Sequence, residues 1–522
     1  MERVIFYLMD KSSGEDSIPP SAGPSRIPFF CASRVITALL VVFLLFNPLS
    51  ALAFDLESRV KEFTLDNGLK VLFLERKGAP IFAAHMAFKV GSVEELAGHT
   101  GAAHMLEHML FKGTTRIGTT DWGKEEPLLE KVDSIGEQLD IAVREGKDQN
   151  TIENLRAELN KALEEEKKYI APESYSKIYA AEGGVGHNAG TSWDTTTYII
   201  RLPSNKFELW ARLEADRLEN AVLREYYAER DVVLEELRRS YENNPDGKLF
   251  ERFMATAYTT HPYGRPVIGL GPDISLLSIS EVKRFLNAWY VPNNAVIAIV
   301  GDLKFEEVQS VITKYFGFIP SRPLPERVVA VEPPQQAERR VDVEFDASPT
   351  LMMGFHKPNA PHADDYVFSV IDSILTLGRT GRMDRSLAQK KKVALSVGSF
   401  VAPGDRYPNM FIISAEPRPP HSTRDVEKAV WEELERLKTA PVSKKELEKV
   451  VNNMEADYVR QLQSHYGMAR LLTHYQVVTG DWRDIIKEME KIKAVTPEDI
   501  QRVAGKYFTR DNLTVGSIVR DK

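Results

Sequence analysis

The sequence predicts a duplicated α+β architecture, and three observations carry that prediction. The stretch from Val60 to Leu74 alternates apolar and polar residues on either side of Asn67-Gly68, the pattern of two strands joined by a tight hairpin turn. Two distant segments then end alike. Ser280-Glu281-Val282 leads through Phe285 and Tyr290 to Asn294 and an apolar strand ending at Asp302. Thr496-Pro497-Glu498-Asp499-Ile500 leads through Val503 and Phe508 to Asn512 and a second apolar strand ending at Asp521. Each reads as a capped amphipathic helix followed by a strand, and the shared order favours a duplicated unit. Between them Pro320, Pro323, Pro325, Pro333 and Pro334 mark a linker. The predicted domains are 54–318 and 340–522, with 319–339 connecting them.

Residues 122–169 differ in kind. Leu128, Leu129, Val132, Ile135 and Leu139, then Leu155, Leu159 and Leu163, recur at helical spacing among Glu and Lys, and Gly146 to Asn150 breaks the run. This predicts a helical hairpin inserted into the first domain and projecting from it. It serves either as a docking arm or as a solvated insertion packed on its own domain.

A chain of 522 residues exceeds one compact core, and 43% hydrophobic with 27% charged residues is ordinary for a soluble globular protein. A net charge of −8 argues against nucleic acid as a partner. Residues 1–53 read as a signal peptide: Arg34, the apolar run Val35 to Phe46, Asn47-Pro48, and a small-residue cleavage site ending at Ala53. Cleavage there implies export to the periplasm or the exterior, with no membrane span in the mature chain. An uncleaved run would instead anchor it. The sole cysteine, Cys31, precedes the apolar run, so a metal site in the mature chain must use His, Asp and Glu.

The informative segment is Ala103-His104-Met105-Leu106-Glu107-His108-Met109-Leu110-Phe111, which lacks Pro and Gly. On a helix His104, Glu107 and His108 share one side, while Met105, Leu106, Met109 and Leu110 cover the rest. Two imidazoles one turn apart can hold one zinc ion, with Glu107 within reach of a water on it. Such a triplet arises by chance about once or twice per hundred chains of this length, so a third ligand is needed as a second clue. Tyr226 to Leu237 has helical periodicity, with Glu229, Val232, Val233 and Glu236 on one face and Glu235 with Asp231, Arg238 and Arg239 on the solvated one. Glu236 is therefore the better ligand, and Glu229, two turns away, a supporting carboxylate.

With its continuation Met109-Leu110-Phe111-Lys112-Gly113-Thr114, the His104-x-x-Glu107-His108 motif resembles the insulinase/pitrilysin family of zinc peptidases, in particular bacterial members similar to mitochondrial processing peptidase. Other stretches match in order: Asn67-Gly68-Leu69-Lys70-Val71, Asn188-Ala189-x-Thr191-Ser192-x-Asp194-x-Thr196-x-Tyr198, Glu229-Arg230 with Glu236, and His261-Pro262-Tyr263-Gly264-Arg265-Pro266-Val267-Ile268-Gly269. The resemblance implies two homologous α+β domains, each an antiparallel-rich sheet with helices packed on one side. It implies one zinc ion on His104, His108 and Glu236, Glu107 as catalytic base, and Glu229 in support. It also implies Asn188 as a substrate-binding residue, and the Thr-rich segment from Asn188 to Tyr198, with Ala189 and Thr191, reads as an edge strand able to pair with an extended peptide.

Two departures qualify the match. The spacing from His108 to Glu236 is longer than the family's, which the helical insertion accounts for. More telling, the family's Arg and Tyr that bind the substrate carbonyl align with Ala388 and Leu395, neither of which has a side-chain donor. This pattern resembles the zinc-bearing half of a heterodimer, although a homodimer remains open. The expected function is zinc-dependent hydrolysis of peptides or polypeptides, completed by a homologous partner. A catalytically impaired assembly or chaperone-like subunit, and a zinc hydrolase acting on a non-peptide amide, are the competing readings. His187, His261, His421, His465 and His474 read as structural or surface residues.

Overall fold

The computed structural model describes residues 56–327 and 330–520, so the expectations for residues 1–53 lie outside the described residues. The first half runs β1 (Val60–Thr64), β2 (Lys70–Glu75), β3 (Ile81–Phe88), α1 (Ala102–Met109), α2 (Trp122–Arg144), α3 (Gln149–Glu166), α4 (Ser174–Ala181), β4 (Val185–Thr191) and β5 (Thr196–Pro203). It continues with α5 (Phe207–Asn220), α6 (Tyr226–Leu237), α7 (Pro245–Ala257), α8 (Gly271–Leu276), α9 (Ile279–Trp289), β6 (Ala295–Gly301) and α10 (Phe305–Phe316). The second half runs β7 (Arg339–Glu344), β8 (Leu351–Lys357), α11 (Ala363–Thr376), a π-helical segment Asp384–Lys390, β9 (Ala394–Ala402) and β10 (Asn409–Pro417). It ends with α12 (Thr423–Thr439), α13 (Lys444–Gln463), α14 (His465–Val478), α15 (Asp484–Lys493), α16 (Pro497–Tyr507) and β11 (Leu513–Val519).

The strands make two sheets, ordered β1-β2-β6-β3-β5-β4 and β7-β11-β8-β10-β9. Without β1 they have the same topology. In each, the half's last strand pairs parallel with an early one (β2 with β6, β7 with β11) and the remaining pairs are antiparallel. The two similar endings are α9–β6 and α16–β11. Both helices begin in a capping box: Ser278 with Glu281, two residues ahead of the predicted start, and Thr496 with Asp499. At the Asn67-Gly68 turn, Gly68 takes a positive φ of 86°. The buried Asn67 amide donates to the carbonyls of Phe316 and Ile319, which ties the opening hairpin to the half's last helix.

Alternation along the central strands separates two faces of each sheet. Phe82, Ala84, Met86 and Phe88 of β3 enter a core with Met105, Leu106, Trp210 and Val282, from the first half's own helices. His85 points the other way, with its Nδ1 2.8 Å from Thr473 Oγ1 on α14. In the second sheet Phe355 and Phe411 pack on Phe368, Trp431 and Phe508 of that half's helices. Gly354 and Gly516 face α7, where an added Cβ would lie 2.6 and 3.1 Å from the Phe253 ring. Each sheet thus has its own helices on one face and a helix from the other half on the opposite face. The exchange of α7 and α14 was not anticipated from sequence.

The inserted segment does form a helical hairpin, α2 and α3, but it packs down rather than projecting. Val132, Ile135 and Leu139 of α2, with Leu159 and Ala162 of α3, enter the first half's core. Arg224 and Glu125 pair at 2.6 Å beneath it with no exposed side-chain surface. Among the described residues from 317 to 338 there is no helix or strand. That stretch is pinned, however. Arg327 donates to the carbonyl of Lys89, and Glu332 accepts from the backbone N–H groups of Thr259, Thr260 and His261.

Candidate active site

Helix α1 is short, and its ends are held by other segments. Gly101 precedes it at φ 94°, and a Cβ there would sit 2.7 Å from the Ile268 carbonyl oxygen. Only glycine suits both demands. Because Gly101 has no side chain to cap the helix, Glu95 does so from six residues upstream, its two oxygens accepting from Gly101 N at 2.9 Å and Ala103 N at 2.8 Å. Ala103, Met105, Leu106 and Met109 are buried, which turns His104, Glu107 and His108 to the opposite side.

The three residues expected to bind metal converge there. One ligand atom each from His104, His108 and Glu236 lies within 4.8 Å of the others. His104 Nε2 is 3.9 Å from Glu236 Oε1, and His108 Nε2 is 3.5 Å from Glu236 Oε2. Glu236 reaches in from α6, where Glu235 is exposed and pairs with Arg238 at 3.1 Å. The chosen face of α6 needs one correction: Val233 is buried, but Val232 is 52% exposed, because 100° per residue carries it past the buried edge.

Glu229 lies one step behind the cluster. His108 Nδ1 donates to its Oε1 at 2.8 Å, which leaves Nε2 facing Glu236. Lys112 Nζ takes the other oxygen at 2.6 Å and approaches Glu225 at 3.3 Å. Burial opposes the Glu229 charge, but the bonds from His108 and Lys112 win and hold it down to about 2. Burial also works against charge on His108, and its carboxylate neighbours, Glu229 first, raise it. Burial first, and then His108, lower His104 to about 3, a neutral imidazole. Burial raises Glu107 against a 2.5 Å hydrogen bond from Thr191 Oγ1. Burial likewise works against charge on Glu95 and raises it, while the N–H groups of Ala103 and Gly101 and then Arg265 favour the carboxylate.

Asn188, Ala189 and Thr191 lie on β4, the sheet's free edge strand. Asn188 is exposed, Ala189 half-buried and Thr191 buried, its hydroxyl given to Glu107. Ser192 to Thr195 then turn back into β5. The buried Asp194 accepts from Tyr263 Oη at 2.8 Å, Asp405 N at 2.7 Å and Arg406 N at 3.1 Å, so a second-half loop seats on this turn. Ala388 is half-buried and Leu395 45% exposed on β9, the corresponding edge of the second sheet. His187 contacts Phe111, Tyr179 and Arg217 instead of the cluster, and His261 caps a turn by accepting from Tyr263 N.

Sequence reasoning missed two residues, Lys112 and Glu95, and one contact, that of Thr191 with Glu107. Lys112 stands four after His108, a spacing that could have flagged it. Glu95 and the Thr191–Glu107 bond join segments with no shared periodicity.

Fold and cluster together define a class, proteins of two similar α+β halves with a candidate metal site of two His and one Glu. The chain belongs to the insulinase family, peptidase family M16: that family's profile matches residues 70–140 and 159–271, and the profile described as the peptidase M16 inactive domain matches residues 277–454. The interruption at 141–158 falls on the tip of the α2–α3 hairpin, a shorter stretch than the insertion read from sequence. The zinc protease PqqE of Helicobacter pylori is 28% identical over 85% of this chain and 89% of that protein. A probable mitochondrial-processing peptidase subunit beta of Arabidopsis thaliana is 23% identical over 88% of this chain and 78% of that protein. The crystal structure of a protease from Helicobacter pylori superposes with a TM-score of 0.74 at 25% identity, covering 88% of this chain and 99% of that one.

Proposed function

We propose that this chain is a zinc metalloendopeptidase, holding one zinc ion on His104, His108 and Glu236 and hydrolysing peptides or unfolded polypeptides. The convergence of those three ligand atoms within 4.8 Å carries this reading. The donor set suits the ion, because two imidazoles and a carboxylate leave one tetrahedral position open. When bound, zinc supplies Lewis acidity that polarises the scissile carbonyl and acidifies water. Glu107 takes the proton of the attacking water and delivers it to the leaving amine. Glu229 orients His108 through Nδ1, and Thr191 holds one oxygen of Glu107. An extended substrate adds to the free edge of β4 beside Asn188 and Ala189.

Ala388 and Leu395 offer no side-chain donor to a developing oxyanion, so we assign that role to a homologous partner subunit. The same absence supports the alternative, a catalytically impaired assembly or chaperone-like subunit. Export rests on the sequence of residues 1–53; among the described residues no helix is long and apolar enough to cross a membrane.

The test is Glu107→Gln, assayed for bound metal and for peptide cleavage with and without a co-expressed homologous chain. Metal should be retained and cleavage lost, whereas wild type should be weakly active alone and activated by its partner. Cleavage by metal-loaded Glu107→Gln would refute the base assignment. A metal-loaded wild type inactive with every partner would favour the assembly reading.

A further inference from the structure

We infer that Glu95 is a positioning residue, which fixes α1 against the β4–β5 hairpin and so sets where His104, Glu107 and His108 stand relative to the strand edge. This deepens the reading of α1 as the metal-holding helix and rests on it.

The segment Gly91–Glu95 is bonded at both ends. At one end it lies on the hairpin turn: Ser92 N donates to Ser192 O at 3.2 Å and Val93 N to Trp193 O at 2.9 Å. The approach is so close that a Cβ on Gly91 would lie 2.3 Å from Ser192 O and 2.5 Å from Trp193 O. At the other end the Glu95 carboxylate grips Gly101 N and Ala103 N, the first free donors of α1. The hairpin is also where Thr191, at the end of β4, reaches Glu107. One bracket therefore spans from the strand edge to the start of the helix.

Helix stability alone does not call for this residue. A Ser or Asn at the helix start would satisfy an N–H group without burying a carboxylate, which is costly. Glu95 is 5% exposed, and each of its oxygens accepts a separate donor, so it ties two segments together as a local cap could not. The neighbouring Glu94 provides the contrast. It lies in the same segment but pairs with Arg327 and Arg406, not with α1.

The experiment uses the full chain carrying Glu95→Gln, Glu95→Asp or Glu94→Gln. Glu95→Gln keeps shape and one acceptor but turns an N–H₂ towards a backbone donor, and Glu95→Asp reaches only one of the two N–H groups. In metal-free protein, amide hydrogen exchange over residues 101–109 should quicken by about tenfold in Glu95→Gln and by less in Glu95→Asp. Zinc affinity by chelator competition should fall by about tenfold in Glu95→Gln, and the visible absorption of the Co2+-substituted protein should change. Glu94→Gln should alter neither exchange in α1 nor the Co2+ spectrum. Wild-type exchange and Co2+ spectra in folded Glu95→Gln, or in Glu95→Asp should the first variant not fold, would overturn the inference. A wild type that takes up no metal would instead defeat the proposed function, and the metal-free exchange measurement would still decide the role of Glu95.

Discussion

At His108 the two ring nitrogens are held to different tasks by carboxylates on one helix. Glu229 binds Nδ1–H, and Glu236, seven residues on, faces Nε2. Lys112 closes the chain by neutralising the far oxygen of Glu229. Glu229→Gln removes the charge that both His108 and Lys112 answer. Zinc affinity, measured by chelator competition, should fall by about 10- to 100-fold with the fold intact. Unchanged affinity would mean that the pair does not orient the ring. Thr191 makes a separate prediction. Thr191→Val keeps the volume and deletes the donor to Glu107. Cleavage should drop by about tenfold at full zinc occupancy, with Thr191→Ser restoring it. The i, i+3, i+4 set on α1 and the seven-residue step from Glu229 to Glu236 were legible in the sequence, because helical geometry converts spacing directly into a shared face. Glu95 and the contact of Thr191 with Glu107 were not, because sequence spacing does not show which strand or loop folds against a helix.

Beneath the α2–α3 hairpin the packing brings carboxylates together as well as leucines. Glu166 of α3 is fully buried, and neither of its oxygens has a hydrogen-bond partner among the described residues. Burial first, and then Glu125 and Asp133, push it up to about 7, with Glu225 adding to this and Arg224 partly offsetting it. The folded protein therefore keeps a proton between about pH 4.5 and 7 that the unfolded chain releases. Stability from this group is present at acid pH and is lost as pH rises through that window, by about 3 kcal/mol in all. Glu166→Gln should remove this slope and be the more stable protein at pH 8. Urea denaturation of both proteins at pH 5 and pH 8 measures it, and parallel pH profiles would show that Glu166 ionises freely. The hairpin itself was readable from leucine spacing. Its seating on its own domain was one of two readings, since an amphipathic face shows that something is covered without showing by what.

Duplication, at the scale of the whole molecule, could be inferred from the two matching helix–strand endings, and the sheets have the same order once β1 is set aside. The exchange of α7 and α14 left no comparable trace, because a buried helix face has the same composition whichever sheet it covers. Its consequence is energetic coupling. Phe253 of α7 is fully buried against the second sheet, close to Gly354 and Gly516, although its own half ends at the linker. His85 of the first sheet likewise meets Thr473 of α14. Neither sheet keeps both faces covered if the other half unfolds, so the two halves should unfold in a single transition despite their separate cores. Phe253→Ala deletes a ring from this crossing and should destabilise by about 3–5 kcal/mol. The informative measurement is native-state hydrogen exchange under mild denaturant, read separately at β3 and β10. Coupled halves predict that both strands lose protection by the same free energy, although Phe253 packs on the second sheet and β3 belongs to the first. Faster exchange confined to β10 would show that the second half opens alone and that the exchanged helices do not bind the halves into one cooperative unit.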